Sequence, residues 1–314
     1  MRAHALKSCH SGRGVVESVR VMKYQGLYTA IITPFKDDRV DYDAFAKLIE
    51  AQVAGGVDGI VPVGTTGESP TLTHTEHMEV IRRAIEFAAG RCQVIAGTGS
   101  NCTHEAIAMT KEAEQMGADG TLQVCPYYNK PSQEGLYRHF KAVAESTALP
   151  VLLYSIPGRS GIEIAVDTAV RLAKDCPTVT AIKEAGGSVE RVNQLVQALP
   201  ADFSVLSGDD GLTVPFISCG AVGAVSVTSN VAPAIMKELV DVAMSGDGKR
   251  ATELQKKYYP LMKGLMSLDT NPVPIKAALA LRGDISWEIR PPMVALAEEK
   301  HAKLRALLER YNLI

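Results

Sequence analysis

Residues 151–183 begin with the apolar stretch Val151-Leu152-Leu153-Tyr154-Ser155 and end with a second one, Val179-Thr180-Ala181-Ile182-Lys183. Between them, Val166–Lys174 has the apolar spacing of a helix. Both stretches carry apolar residues at consecutive positions, as expected of strands that are buried on both faces. A helix between two buried strands is the unit from which parallel sheets are built, so these residues predict a parallel α/β fold.

The same alternation of β runs and helical segments extends in both directions, from Leu27 to about Ser245. The predicted strands are Tyr28–Thr33, Gly59–Val63, Gln93–Gly97, Gly120–Cys125, Val151–Ser155, Val179–Lys183, Ser204–Ser207 and Gly223–Val225. Strands that each lead into a helix predict a (β/α)8 barrel, the TIM barrel of the α/β class. A doubly wound sheet is the rival, but it would usually have a glycine-rich turn after its first strand, where this chain has Thr33-Pro34-Phe35.

After Ser245 the β runs stop, and three helices are predicted at Lys249–Leu268, Pro274–Leu281 and Met293–Tyr311. We therefore divide the chain into a catalytic barrel (26–245), a small C-terminal all-helical domain (246–314) and an atypical or disordered N-terminal extension (1–25). The first 21 residues contain basic side chains but lack the apolar core of a secretory signal. We expect a disordered extension or an upstream start codon before Met22, with a transit peptide as the alternative.

Composition excludes several classes of function. The net charge is −2 with no basic stripe, so nucleic acid is not expected as a partner. No apolar run is long enough to span a membrane. The 6 cysteines are scattered without a CxxC pair, which indicates reduced thiols and a cytoplasmic location, with a plastid as the second choice. His74 and His77 have no third ligand nearby, and no nucleotide-binding motif is present, so neither a metal nor a cofactor is expected.

Active sites of such barrels lie at the C-terminal ends of the strands, and Lys183 ends the sixth predicted strand. Burial disfavours the charged form of a lysine, and the neutral amine is the form that attacks a ketone to make a Schiff base. Two plainer interpretations remain open for Lys183: a side chain that reaches solvent at the barrel rim, or one that pairs with Glu184.

Four further residues fit chemistry at the same end of the barrel. Tyr154 could transfer protons, although a tyrosine there is often only a core residue. Thr65 and Thr66 lie in a turn bounded by glycines, which suits a small carboxylate but equally suits a turn that only ends a strand. Arg159 could bind a second carboxylate in a bidentate manner, or could form a surface ion pair.

Four motifs together carry a resemblance that covers the chain from about Gly26 to its C-terminus. They are GTTGES at Gly64–Ser69, PYYNKPSQEGLYRHF at Pro126–Phe140, IKEA at Ile182–Ala185 and SGDD at Ser207–Asp210. With these motifs the chain resembles the dihydrodipicolinate synthase family, lyases built on a (β/α)8 barrel with C-terminal helices. The resemblance implies condensation of pyruvate with L-aspartate 4-semialdehyde through a lysine Schiff base. The product would be 4-hydroxy-tetrahydrodipicolinate, at the first step of the lysine and diaminopimelate branch.

The resemblance also implies roles for individual residues. Lys183 would form the imine with pyruvate, and Tyr154 would donate and accept protons. Thr65 and Tyr128 would complete a hydroxyl relay, with Tyr128 supplied by a neighbouring subunit of a homotetramer that is a dimer of dimers. Thr66, Gly208 and the backbone of Val225 would form the pyruvate site, while Arg159 would hold the carboxylate of the semialdehyde. Ser155 departs from the asparagine that the family usually has after the tyrosine, and we expect it to alter the local hydrogen bonds.

A regulatory site is implied as well, because some family members are inhibited by lysine at a subunit interface. The matching positions are Ser69, His77, Asn101, Glu105 and Tyr127, with His74 nearby. Glu105 is suited to an ammonium group, and Asn101 and Tyr127 are suited to polar contacts. Pro70 stands where small residues are common. We therefore predict feedback inhibition by L-lysine.

Two other functions compete with the synthase. N-acetylneuraminate lyase and the keto-deoxy-sugar-acid aldolases share the lysine and the tyrosine, but they generally lack an arginine at the turn that holds Arg159. A barrel without catalytic activity that serves as a binding protein is the alternative from another class. The presence of Thr65, Tyr128, Tyr154 and Lys183 favours an enzyme over that alternative.

Overall fold

The computed structural model describes residues 23–314, so the predicted N-terminal extension lies outside the described residues up to position 22. Eight parallel strands close into a barrel, in which each strand pairs with its neighbours along the chain and the first also pairs with the last. The strands are β1 (Gly26–Thr29), β2 (Gly59–Ile60), β3 (Gln93–Gly97), β4 (Gly120–Val124), β5 (Val151–Ser155), β6 (Val179–Glu184), β7 (Ser204–Ser207) and β8 (Gly223–Ser226). This topology confirms the predicted (β/α)8 barrel.

Helices cover the outside of the barrel and continue beyond it. Around the barrel lie α1 (Tyr42–Ala54), α2 (His74–Ala88), α3 (Thr103–Met116), α4 (Gln133–Ala144), α5 (Pro157–Ser160), α6 (Val166–Asp175), α7 (Val189–Ala198), α8 (Thr213–Ser218) and α9 (Pro233–Met244). The C-terminal helices are α10 (Gly248–Ser267), α11 (Val273–Arg282) and α12 (His301–Arg310). A short antiparallel hairpin, Phe35–Lys36 with Arg39–Val40, follows β1 and was not predicted.

The alternation of side chains along β5 and β6 places the chemistry inside the barrel. Val151 and Leu153 pack outward against the helices, whereas Leu152 and Tyr154 belong to the cluster that fills the barrel interior. In β6, Ala181 belongs to the same interior cluster. Lys183 lies two residues further along the strand and therefore shares the inward face. Both faces of these strands therefore pack against apolar side chains, which is why their sequences do not alternate between apolar and polar residues.

Some predicted boundaries were wrong. The first strand begins two residues earlier than predicted and ends at Thr29; three residues further on, Ile32 donates its N–H to the side chain of Asn230 and no longer to a neighbouring strand. The second strand ends at Ile60 rather than Val63, where the chain turns with Val63 at a φ of 50°. The predicted helix Met293–Tyr311 is helical only from His301, after a short turn at Glu298–Lys300, since Leu296 directs its carbonyl to the His301 ring.

Two findings concern the whole described region. Cys92, Cys102, Cys125, Cys176 and Cys219 are free thiols, as predicted; Cys9 lies outside the described residues. Within residues 23–314, no helix combines the length and apolar character that crossing a membrane requires.

Candidate active site

Lys183 and Tyr154 lie side by side at the C-terminal mouth of the barrel. They are register partners on the adjacent strands β6 and β5, and their side chains are 5% and 4% exposed. The Nζ atom of Lys183 lies 4.0 Å from the centre of the Tyr154 ring. The ammonium therefore has an aromatic face as its neighbour, which attracts a cation far less strongly than a carboxylate would.

The carboxylate next to Lys183 in sequence does not pair with it. Glu184 points to the opposite face of β6, is fully buried and accepts a hydrogen bond of 2.8 Å from Nε of Arg191. Its other oxygen accepts the backbone N–H of Gly186. Within residues 23–314, Lys183 forms no ion pair. The interpretation of Lys183 as the ion-pair partner of Glu184 is thereby excluded.

A cavity of about 220 Å³ opens beside Tyr154. Thr65, from the loop after β2, and Arg159, from α5 after β5, line it together with Tyr154. The apolar side chains of Leu122 and Val124, on β4, form part of the cavity wall. This cavity thus brings together Thr65, Tyr154 and Arg159, from the loop after β2, from β5 and from α5, at the end of the barrel where such barrels carry their chemistry.

A second cavity of about 360 Å³ lies on the other side of the mouth, under α10. Gly208 lines it, and Ile156 lines both cavities. A Cβ atom at Gly208 would lie 2.9 Å from Cε of Lys183 and 2.7 Å from Cβ of Ala185, so only glycine leaves space for the lysine side chain here. Gly208 therefore contributes to the site by its lack of a side chain. Val225 is buried in the barrel interior and lines neither cavity.

Thr66 and Arg159 are linked by a single residue that the sequence did not single out. The side-chain amide of Asn271 donates a hydrogen bond of 2.9 Å to Oγ1 of Thr66. The backbone carbonyl of the same residue accepts a bond of 2.9 Å from Nη2 of Arg159. Asn271 lies just before α11, so the C-terminal helices contact both candidate carboxylate-binding residues.

Tyr128 lies away from this cavity. Its side chain is 91% exposed, and its backbone has a φ of 72°, a left-handed conformation that is unfavourable for a residue with a bulky side chain. The structure of one chain therefore does not bring Tyr128 together with Thr65 and Tyr154. An exposed aromatic residue held in a strained backbone is typical of a position whose side chain acts on another molecule.

The predicted regulatory residues form two groups that contact the first cavity. Ser69 Oγ lies 3.5 Å from Nδ1 of His77, and Nε2 of His77 contacts the carbonyl of Gly97 at 2.7 Å. Burial lowers the pKa of His77, which favours the neutral ring. Ser69 itself lines the cavity that also holds Thr65 and Tyr154.

The second group lies around Tyr127, which lines the same cavity. Asn101 donates to the Tyr127 carbonyl at 3.2 Å, and Ser100 donates to the Glu105 carboxylate. Burial, and secondly the charge of Glu105, raise the pKa of the Tyr127 phenol. His74 is separate from both groups, because it is exposed on α2 and pairs with Glu112 on α3.

Ser155 fills the position after the catalytic tyrosine candidate without leaving a polar group unpaired. It is fully buried, and its hydroxyl oxygen accepts the backbone N–H of Ile164 at 3.4 Å. The smaller side chain thus ties β5 to the loop before α6.

Sequence reasoning missed Asn271 and two buried charged residues, Glu68 and Lys276, that contact each other near the Thr66 loop. It also gave no role to Asp210, whose carboxylate accepts the N–H groups of Val227 and Thr228 after β8. The GTTGES and SGDD motifs contained Glu68 and Asp210, but the partners of these residues lie far away along the chain.

A buried lysine against a tyrosine ring, at the mouth of a (β/α)8 barrel with carboxylate-binding candidates around it, is the arrangement expected of a lyase that works through a lysine Schiff base. The model of the dihydrodipicolinate synthetase family matches residues 23–311. The chain belongs to this family. The 4-hydroxy-tetrahydrodipicolinate synthase of Aquifex aeolicus strain VF5 is 48% identical over 290 residues, which cover 92% of this chain and 98% of that one.

Two similar solved structures contain small molecules. The chloride-inhibited dihydrodipicolinate synthase of Acinetobacter baumannii, complexed with pyruvate, is 45% identical, with a TM-score of 0.90 over 92% of this chain and 99% of that one. The enzyme from Cyanidioschyzon merolae with lysine bound is 39% identical, with a TM-score of 0.89 over the same shares.

Proposed function

We propose that this chain condenses pyruvate with L-aspartate 4-semialdehyde to give 4-hydroxy-tetrahydrodipicolinate, through a Schiff base on Lys183. The observation that carries the proposal is the buried Lys183 amine, which has no carboxylate partner within the described residues and lies against Tyr154. The relative complexed with pyruvate supports a 2-oxo acid as the first substrate.

The reaction balances with the two substrates alone. The uncharged amine attacks the ketone of pyruvate, and the carbinolamine loses water to give an imine. Loss of a methyl proton converts the imine into an enamine, whose carbon attacks the aldehyde. The amino group of the semialdehyde then displaces Lys183 from the imine carbon, closing the ring and freeing the lysine. One water molecule is released overall.

We assign the proton transfers in these steps to Tyr154, because its ring lies against Lys183. A phenol needs hydrogen-bonded partners to pass protons on near neutral pH. We assign Thr65 as one partner, since it lines the same cavity as Tyr154. Tyr128 is the other, supplied by the neighbouring subunit, since its side chain is exposed and does not line the cavity of its own chain.

Substrate carboxylates would be held at two points. Thr66 and the backbone near Val225 and Gly208 would bind pyruvate; of these, Gly208 lies directly against the Lys183 side chain. Arg159 would bind the carboxylate of the semialdehyde, since it lines the cavity next to Tyr154. A guanidinium can bind a carboxylate with two parallel hydrogen bonds, which orients the aldehyde as well as attracting it.

The proposed role of Tyr128 also implies that the active enzyme is an oligomer. If Tyr128 acts on a neighbouring subunit, the active unit is at least a dimer, and the family resemblance implies a homotetramer made of two such dimers. Contact with a partner subunit would remove the exposed Tyr128 ring from water.

We further propose that L-lysine inhibits the enzyme at the surface formed by Ser69, His77, Asn101, Glu105 and Tyr127. The relative with lysine bound supports this ligand. The carboxylate of Glu105 is suited to the ammonium of an amino acid. Ser69 and Tyr127 line the catalytic cavity as well, which gives a bound effector a direct route to it.

Reduction with borohydride in the presence of pyruvate tests the function. The wild-type chain should gain the mass of a reduced pyruvate adduct, and peptide mapping should place it on Lys183. A Lys183→Ala variant should remain folded and gain no adduct, whereas Lys141→Ala, which removes a partly exposed lysine on α4, should be trapped like the wild type. Absence of an adduct on the wild-type chain would favour a binding protein.

The choice of second substrate is tested by parallel assays. Pyruvate with L-aspartate 4-semialdehyde should give rapid turnover, while cleavage of sialic acid and of keto-deoxy-gluconate should stay at background. Turnover of a sugar acid at a comparable rate would instead identify an aldolase of that class.

A further inference from the structure

The loop that carries Thr65 and Thr66 has an unfavourable backbone at its end. Glu68 has φ 56° and ψ 36°, the left-handed region, which is rare for residues with a side chain. The preceding Gly67 permits no side chain, because a Cβ atom there would lie 2.9 Å from the backbone nitrogen of Val63. Such a conformation persists only where surrounding contacts determine it.

The contacts that hold Glu68 come from α11 and from the segment between α11 and α12. Nζ of Lys276, on α11, lies 2.5 Å from one carboxylate oxygen of Glu68, and the side chains are 4% and 2% exposed. The backbone N–H of Arg290 donates to the other oxygen at 3.2 Å. Lys276 also lies 4.3 Å from the centre of the Phe35 ring. Both charges are thus removed from water and depend on each other.

Asn271 holds Thr66, two residues before Glu68, from the same segment of the chain. Its amide donates to Oγ1 of Thr66, while its own Oδ1 is buried and has no hydrogen-bond partner among the described residues. Two side chains from the stretch 271–276 therefore fix the two ends of the short sequence Thr66-Gly67-Glu68.

We propose that Lys276 and Asn271 are positioning residues, which hold the Thr66 loop in the geometry that binds the carboxylate of the first substrate, a 2-oxo acid. The proposal rests on the proposed function, since it concerns the same pyruvate site. Neither residue lines the cavities, so each acts through Glu68 or Thr66. The C-terminal helices thereby contribute to substrate binding as well as to packing.

The distinguishing experiment replaces the ion pair by apolar side chains of similar size, Glu68→Met with Lys276→Met. Replacing both partners avoids an unpaired buried charge, so the double variant is expected to fold, unlike either single one. Pyruvate is varied in borohydride trapping, which reports imine formation without the second substrate. We expect the half-saturating pyruvate concentration to rise about tenfold or more, because small misplacements of binding groups are costly.

Asn271→Leu gives an independent second measurement, since leucine fills similar space but cannot donate to Thr66. The backbone carbonyl that accepts from Arg159 remains, so KM for pyruvate should rise while KM for L-aspartate 4-semialdehyde changes by less than about twofold. Lys237→Met is the control, because it removes an ion pair with Asp58 at the opposite end of the barrel, and it should leave both constants unchanged.

These measurements distinguish a failure of the proposed function from a failure of the positioning role. If the wild-type chain forms no adduct with pyruvate, the proposed function fails. If the wild type forms it and the double variant and Asn271→Leu keep wild-type half-saturation, the positioning role is overturned and the contacts serve stability only. If the double variant does not fold, the half-saturating pyruvate concentration of Asn271→Leu decides alone: a wild-type value overturns the positioning role.

Discussion

Lys183 and Tyr154 are register partners on adjacent parallel strands, and the lysine nitrogen lies 4.0 Å from the centre of the tyrosine ring. Parallel pairing places the two side chains at the same level of the barrel, and their parity places both inside it. Because strands β5 and β6 fix this arrangement rather than loops, the amine and the phenol keep their relation while substrates enter and leave through the surrounding loops.

Replacing Tyr154 by phenylalanine should separate proton transfer from packing. The ring against Lys183 remains, and only the hydroxyl is lost, so kcat should fall by about 10²–10³-fold with little change in the free energy of unfolding. Steady-state kinetics and thermal unfolding measure the two quantities. Tyr24→Phe is the matched control, because that hydroxyl donates to the carbonyl of Pro150 inside the barrel, away from the mouth; it should affect stability and spare kcat. A Tyr154→Phe enzyme with wild-type kcat would remove Tyr154 from the mechanism.

The strands that carry this pair could be predicted almost to the residue. The bounds of β5 match the prediction, and β6 extends only one residue further, because turn residues follow both apolar runs. The ends of β1 and β2 could not be predicted in this way. The apolar residues continue past the ends of both strands and remain buried there, as Ile31, Ile32, Val61 and Val63 show. The composition of the chain therefore does not mark the residue at which either strand ends.

The site could be predicted only in part for a similar reason. Lys183, Tyr154, Thr65 and Arg159 are recognisable because each lies in the C-terminal part of a strand or shortly after it and carries a reactive or binding group. Asn271 and Lys276 are not recognisable, since their partners Thr66 and Glu68 lie more than two hundred residues away and meet them only after the helices dock on the barrel. Local pattern contains no information on such distant pairs.

Tyr128 should act in trans, and mixing two inactive variants tests this. Tyr128→Phe retains Lys183, and Lys183→Ala retains Tyr128. In a mixed dimer, one active site then combines the intact Lys183 of one subunit with the intact Tyr128 of the other. After the subunits are dissociated together and reassembled, we expect about a quarter of wild-type activity, because about half of the dimers are mixed and each has one complete site. Recovery no greater than the mean of the two parent variants would indicate that Tyr128 acts within its own chain.

L-lysine should inhibit the enzyme, and Glu105 should decide how tightly it binds. Glu105→Gln removes the charge that faces the ammonium, so the inhibitory concentration of lysine should rise about tenfold, while kcat without lysine stays near that of the wild type. Rate measurements over a lysine titration report both. His74→Ala should leave inhibition unchanged, because His74 is exposed and pairs with Glu112 outside the two groups. An unchanged wild-type rate at millimolar lysine would disprove the regulatory site.

His139 should make the stability of the chain fall in mild acid. Its ring is buried on α4, Nδ1 lies 2.9 Å from Oγ1 of Thr103, and Nε2 has no partner among the described residues. Burial lowers the pKa of His139 from 6.5 to about 4, whereas in the unfolded chain it stays near its ordinary value. The unfolded state therefore binds the proton first as the pH falls, and stability is lost between about pH 6.5 and pH 4.

The size of this effect follows from the two pKa values. Between pH 7 and pH 4.5 the free energy of unfolding of the wild type should fall by about 2–3 kcal/mol more than that of His139→Gln, since each pKa unit corresponds to about 1.4 kcal/mol. Urea titrations at a series of pH values measure the difference. His104→Gln, which replaces an exposed histidine on α3, should follow the wild-type curve. If His139→Gln loses as much stability in acid as the wild type, the ring is not held neutral by its burial, and another group must account for the acid sensitivity.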